Sequence, residues 1–218
     1  MELIKLENVS KIYADAEGSV LESTDLHVES GEYLSIKGVS GSGKSTLLFL
    51  LGGLLIPTTG RVWFQGQDIY SFSDDDLSAW RGKYVGYLFQ NIHIAQALTV
   101  RENMILARTF GNDREADIDA MIQVLGLSEV ADKLPGHLSG GQKRRAMIGC
   151  VLIRRPQVIL ADEPTNDLDA VWAARVMELL QEQVRLGRTL ILVTHDPRWA
   201  DAAPVRYSIS DGRLKREQ

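Results

Sequence analysis

The chain has 218 residues, of which 44% are hydrophobic and 24% charged, a balance that fits one globular core with room only for a small second unit. Its formal net charge of −5 argues against nucleic-acid binding through bulk positive charge. The one cysteine, Cys150, has no partner for an internal disulfide and fits a reducing compartment. Charges scattered through residues 1–7 do not resemble a signal peptide. The longest apolar run, residues 47–56, is broken by Gly52 and Gly53 and falls short of the roughly 20 residues a membrane-spanning helix needs. No internal repeat or low-complexity tract stands out.

In chain order, residues 5–9 and 26–29 read as short edge-type strands. Residues 33–37 alternate apolar and polar side chains and run into a glycine-rich loop, after which a helix is predicted over residues 45–51. A hairpin is expected around residues 61–64, and a strand over residues 84–89. From residue 99 to 155 the period becomes helical, with Val100, Met104, Ile105, Ile118, Met121, Ile122 and Leu125 in step and Gly126 offering an end. Strand character returns at residues 158–161, a helix follows over 171–186, and a last buried strand spans 189–193. The expected fold is α/β: a P-loop core with a mostly parallel sheet, an N-terminal antiparallel β portion and an inserted helical subdomain. Residues 1–90 and 156–218 would form the core, and about 91–155 the insertion.

Gly38-Val39-Ser40-Gly41-Ser42-Gly43-Lys44-Ser45 fits G-x-x-x-x-G-K-[ST] between a strand and a helix. Glycines let successive N–H groups turn toward one anion, and the positive end of the following helix adds to their field. Lys44 would reach the β- and γ-phosphates and Ser45 would ligate Mg²⁺, with Thr46 beside it. The predicted strand at 158–161 ends in two acids: Asp162 is placed to hold the magnesium shell, and Glu163 to polarise an attacking water as general base. In a parallel sheet the nucleotide lies at the carboxyl ends of the strands. His195, just past the last buried strand, should therefore face the same crevice and contact the γ-phosphate. A glycine-rich turn that binds nothing, or a pair of surface acids, would explain either element alone but not both together.

Leu138-Ser139-Gly140-Gly141-Gln142, just ahead of Lys143-Arg144-Arg145, supplies a second set of N–H donors before a helix, and hence a second anion site. Together with the P-loop and Asp162-Glu163-Pro164-Thr165, this motif resembles the ABC ATPase family over nearly the whole chain, in the family's order. The resemblance implies ATP as substrate, Mg²⁺ as cofactor and an ATPase that drives a transporter. It implies that Gln90 touches Mg²⁺ and the attacking water and that Tyr13 stacks on adenine; a core aromatic would explain Tyr13 as well. Asp169 would close the D-loop and His195 would be the switch histidine. Ser139, Gly140, Gly141 and Gln142 would serve ATP held by a second copy, giving a homodimer with composite sites. Partners would be that copy and an integral membrane permease, at the cytoplasmic face of the membrane, with no nucleic acid.

The chain departs from the family's pattern at Asn166, where a small residue is more usual, at His137, and at Met147-Ile148-Gly149-Cys150, which replaces an alanine-rich stretch carrying an arginine. Cys150 is expected to be a buried structural thiol. Residues 51–54, 57–60 and 211–214 resemble the lipoprotein-release and macrolide-export group, which implies export or mechanical work. A soluble non-transport ABC ATPase is the alternative, but the long coiled-coil insertions or tandem cassettes of that class are missing. A GTPase would want an Asn-Lys-x-Asp guanine reader, also missing. Ile92, Ile94, Ala95, Ala97 and Leu98 are expected either to line a groove for a short permease helix or to form a core helix.

Overall fold

In the computed structural model, which describes residues 1–13 and 18–217, the chain builds two sheets. β1 (Glu2–Ile12) and β2 (Ser19–Glu29) pair antiparallel. β3 (Tyr33–Lys37) leads through the glycine-rich loop into α1 (Lys44–Leu51), and β4 (Thr59–Phe64) and β5 (Gln67–Asp68) form the expected hairpin. The smaller sheet has the order β2-β1-β4-β5. Both opening strands are longer than predicted, and β1 is not an edge: it pairs with β2 on one side and β4 on the other. A strand's place in a sheet is set by partners distant in sequence, so local alternation shows which face is buried and not which strands lie alongside.

α2 (Asp74–Tyr84) precedes β6 (Val85–Leu88). Then come α3 (Val100–Thr109), α4 (Ile118–Val124) and α5 (Gly140–Leu152). β7 (Val158–Asp162), α6 (Ala170–Arg185), β8 (Thr189–Val193), α7 (Pro197–Ala200), β9 (Val205–Ser210) and β10 (Arg213–Arg216) complete the chain. The larger sheet runs β10-β9-β3-β8-β7-β6, parallel throughout except for β10. α2 and the β9–β10 hairpin lie outside the predicted elements. Only Trp80 of α2 is buried, so it lacks the apolar stripe that announces a helix. Its signals are instead the Ser73 cap, whose hydroxyl accepts from the Asp76 N–H at 3.2 Å, and three aspartates in the first turn.

The parallel sheet is buried on both faces, and the period of two sends alternate side chains to different cores. Val158 and Leu160 of β7, with Ile191 and Val193 of β8, pack with α1 and the antiparallel sheet. Ile159 and Ala161, with Leu190 and Leu192, pack with α3, α4, α5 and α6. The segment between β6 and α3 is not a helix. The buried Asn103 holds it: its amide donates to the carbonyls of Ala95, Leu98 and Thr99 at 2.9–3.0 Å, and its oxygen accepts from the Ala95 N–H at 2.8 Å. That side chain lets an apolar stretch run as ordered loop, because its backbone groups find partners without a helix.

Candidate active site

Strand order decides what meets what. β3, β8, β7 and β6 lie side by side and parallel, so the segments leaving their carboxyl ends converge on one edge. There they line a cleft of about 400 Å³ containing Gly38, Ser40, Gly41, Gly43, Lys44, Ser45, Thr46, Gln90, Asp162, Glu163 and His195. The cleft thus gathers residues spread from 38 to 195 along the chain. Val20 and Asn166 also line it.

The loop closes tightly around its own backbone. Gly43 has φ 102°, a region L side chains avoid, and a Cβ there would stand 2.6 Å from the Val20 carbonyl oxygen. A Cβ on Gly38 would overlap the carbonyl oxygen of Ile209. The loop is thus pressed between β2 and β9. Ser42 Oγ is buried there with no hydrogen-bond partner among the described residues. A buried hydroxyl without a partner is costly, and an anion in the cradle would supply one.

Lys44 Nζ donates to the carbonyls of Gly38 and Val39 at 2.8 and 2.7 Å. Burial lowers its pKa, against the charges of Glu163 and Asp162. Burial likewise raises the pKa of Asp162, opposed first by the Ser45 hydroxyl, which donates to its Oδ2 at 2.6 Å. Both shifts arise because burial penalises the charged form, and a polyanion beside Lys44 and a cation beside Asp162 would each favour that form. Ser45 Oγ and Asp162 Oδ2 are hard oxygen donors in the cleft that Gln90 also lines, a set that suits Mg²⁺.

Glu163 is the most constrained acid. It has φ 49°, which costs a non-glycine residue about 1–2 kcal/mol and is a mark of sites where function sets the backbone. Its carboxylate accepts from Thr194 Oγ1 at 3.0 Å and from the His195 backbone N–H at 2.9 Å; His195 Nδ1 lies 2.7 Å from Oε1. The turn after β8 therefore holds Glu163 by three contacts.

Tyr13 stands outside the cleft lining, with its hydroxyl 3.3 Å from Thr46 Oγ1. Its ring is partly exposed, and Lys11 Nζ lies 5.5 Å from the ring centroid. Ser139, Gly140, Gly141 and Gln142 do not line the cleft at all. Ser139 and Gly140 are exposed at the start of α5, where Ser139 and Gln142 form a capping box: the Ser139 N–H donates to Gln142 Oε1 at 2.9 Å and the Gln142 N–H to Ser139 Oγ at 3.2 Å. Three contributors escaped the sequence reading. Asn166 was noted only as a departure, yet it lines the cleft. Thr194, absent from the expected site, is buried and donates to Glu163. Arg144, an ordinary basic residue after the signature, is 1% exposed and bonded to the Gln90 loop.

A phosphate cradle, paired acids at a neighbouring strand end and a serine-capped SGG turn on one α/β sheet define an ATP-binding cassette. The chain belongs to the ABC transporter family, whose sequence model matches residues 21–166, and it is an ATPase of that family. It is 40% identical over 216 residues to the macrolide export ATP-binding/permease protein MacB of Agrobacterium fabrum, covering 96% of this chain but 33% of MacB. Thus the chain spans about a third of the length of the MacB relatives. It is 37% identical over 220 residues to the lipoprotein-releasing system ATP-binding protein LolD of Shewanella oneidensis, covering 98% of this chain and 96% of LolD. Among solved structures, the dimeric post-hydrolysis state of the ATP-binding cassette MJ0796 bound to ADP and Pi is similar, with TM-score 0.88, 33% identity and 99% coverage of both chains.

Proposed function

We propose that the chain energises a membrane permease through ATP-driven closure of two copies, each presenting residues 139–142 to the nucleotide held by the other. The observation that carries this reading is the separation of the two phosphate-binding motifs: the cleft holds one, and the exposed start of α5 lies outside it. A second copy is the simplest way to use both. The dimeric MJ0796 cassette supports the arrangement.

In this reading the triphosphate displaces the Gly38 and Val39 carbonyls from Lys44, and Tyr13 stacks on the adenine beyond Thr46. Ser45, Asp162 and Gln90 would hold Mg²⁺, which would supply charge neutralisation for the bound phosphates. Glu163 takes one proton from the water as its oxygen bonds to the γ-phosphorus; the bond to the β-phosphate oxygen breaks, leaving ADP and phosphate. His195 and Thr194 orient that carboxylate, and His195, whose ring is largely exposed, also reaches the γ-phosphate. Loss of the γ-phosphate removes the contact that holds the two copies together, and the dimer opens.

Residues 91–155 form the moving helical unit. Between α2, α3 and α5 runs a predominantly apolar groove of about 450 Å³, lined by Tyr87, Phe89, Ile94, Leu106, Phe110 and Met147. It suits a short amphipathic permease helix at the cytoplasmic membrane face. The likeness to MacB and LolD favours export or mechanical work on a macrolide- or lipoprotein-like cargo. Ile94→Asp places a charge in the groove. Transport by the assembled transporter is expected to fall at least about tenfold, as burying an unpaired charge would require, while ATP hydrolysis continues. Undiminished transport would remove the groove from the coupling route.

A further inference from the structure

Two loops and a helix meet at one buried side chain. Arg144 lies in α5, five residues beyond Ser139, and is 1% exposed. Its Nη1 donates to the Phe89 carbonyl at 2.8 Å; its Nη2 donates to the Gln90 carbonyl at 2.5 Å and to Asp167 Oδ2 at 3.2 Å. The first two acceptors belong to the segment leaving β6, and the third to the turn after β7. Asp167 has φ 65°, and a Cβ on Gly141 would stand 3.1 Å from its carbonyl oxygen, so this turn also touches the start of α5.

A merely space-filling role fits these facts poorly. A buried guanidinium is costly, and an apolar side chain of similar volume would fill the space without that cost. What the guanidinium adds is a planar fork that engages several oxygens at fixed angles, which lysine cannot reproduce. Its targets are also telling. Gln90 lines the cleft while Arg144 holds its backbone carbonyl, and Asn166, next to Asp167, lines the same cleft.

We infer that Arg144 is a positioning residue for hydrolysis. It locks the Gln90 loop and the Asp167 turn to α5, so that Gln90, facing the chain's own nucleotide, moves as one body with residues 139–142, facing the other copy's. This rests on the role proposed above for Gln90. The fork supplies placement rather than nucleotide contact, so its loss should appear in kcat and leave ATP affinity nearly unchanged.

The test uses the full chain, with steady-state ATPase kinetics and binding of a fluorescent ATP analogue. Arg144→Met is expected to lower kcat at least about tenfold, as small misplacements at reacting centres do, with the dissociation constant within about threefold of the parent. Arg144→Lys keeps the charge but not the fork, and is expected to stay within about threefold of the Met variant. Asp167→Asn, at a half-exposed carboxylate that poses little threat to folding, should lower kcat about threefold. Since both changes act on one clamp, the double variant should be no slower than Arg144→Met alone.

Parental kcat in Arg144→Met, losses that multiply in the double variant, or equal loss of kcat and affinity would each overturn the inference. Should Arg144→Met fail to fold, parental kcat in Asp167→Asn overturns it instead. Gln90→Ala separates the two layers. A slow Gln90→Ala beside a fast Arg144→Met defeats the clamp alone, whereas a parental Gln90→Ala defeats the role of Gln90 beneath it.

Discussion

Glu163→Gln is expected to bind ATP with parental affinity and to hydrolyse it about 10²–10⁴ times more slowly, the range a positioned general base contributes. That factor is about 3–5 kcal/mol of barrier. The substitution isolates proton transfer because it changes little else. Glutamine keeps the side-chain length and can adopt the same φ of 49° no less readily; its amide oxygen can still accept from the His195 N–H, while its NH2 turns to the Thr194 hydroxyl, which can accept in its turn. What it cannot do is take a proton from water. Single-turnover hydrolysis with saturating MgATP reads the step directly. A parental rate would remove Glu163 as the base and leave His195 as the nearest candidate.

Ser139→Asp has the second large effect, and its logic rests on location. Aspartate caps helices as well as serine does, so α5 keeps its start. Ser139 lies outside the chain's own cleft, so binding of ATP by a single chain should stay within about twofold of the parent. Hydrolysis is nevertheless expected to fall about 10²-fold, because a carboxylate now meets the γ-phosphate presented by the other copy, and unpaired like charges are severely penalised away from water. Ser139→Thr, which retains hydroxyl and cap, should remain near parental. If Ser139→Asp weakened ATP binding in the isolated chain as much as it slowed hydrolysis, residues 139–142 would act on the chain's own nucleotide.

The legible parts of this site are those where chemistry fixes residue type and spacing together. The cradle demands glycine where φ is positive or a neighbouring carbonyl presses close, as at Gly43 and Gly38, and Lys44 must follow at once. Asp162 and Glu163 stand out because β7 is apolar up to its last residue. The same rule, applied to β8, points to His195. Arg144 escaped because its partners are two backbone carbonyls and one loop carboxylate, which leave no trace in residue type. Asn103 escaped for the same reason: its work is to satisfy the backbone of residues 95–99. α2 and the β9–β10 hairpin bury too few apolar side chains to show a period. The interior place of β1 depends on pairing with β4, some fifty residues away, which no local window contains.

The composite site is the centre of the account, and it demands that ATP, unlike ADP, hold two copies together. Sedimentation velocity of Glu163→Gln tests this directly, since slow hydrolysis preserves the γ-phosphate through the run. A composite site predicts a monomer without nucleotide or with MgADP, and a dimer with MgATP containing one bound nucleotide per chain. A chain that binds one ATP yet sediments as a monomer under saturating MgATP would contradict it.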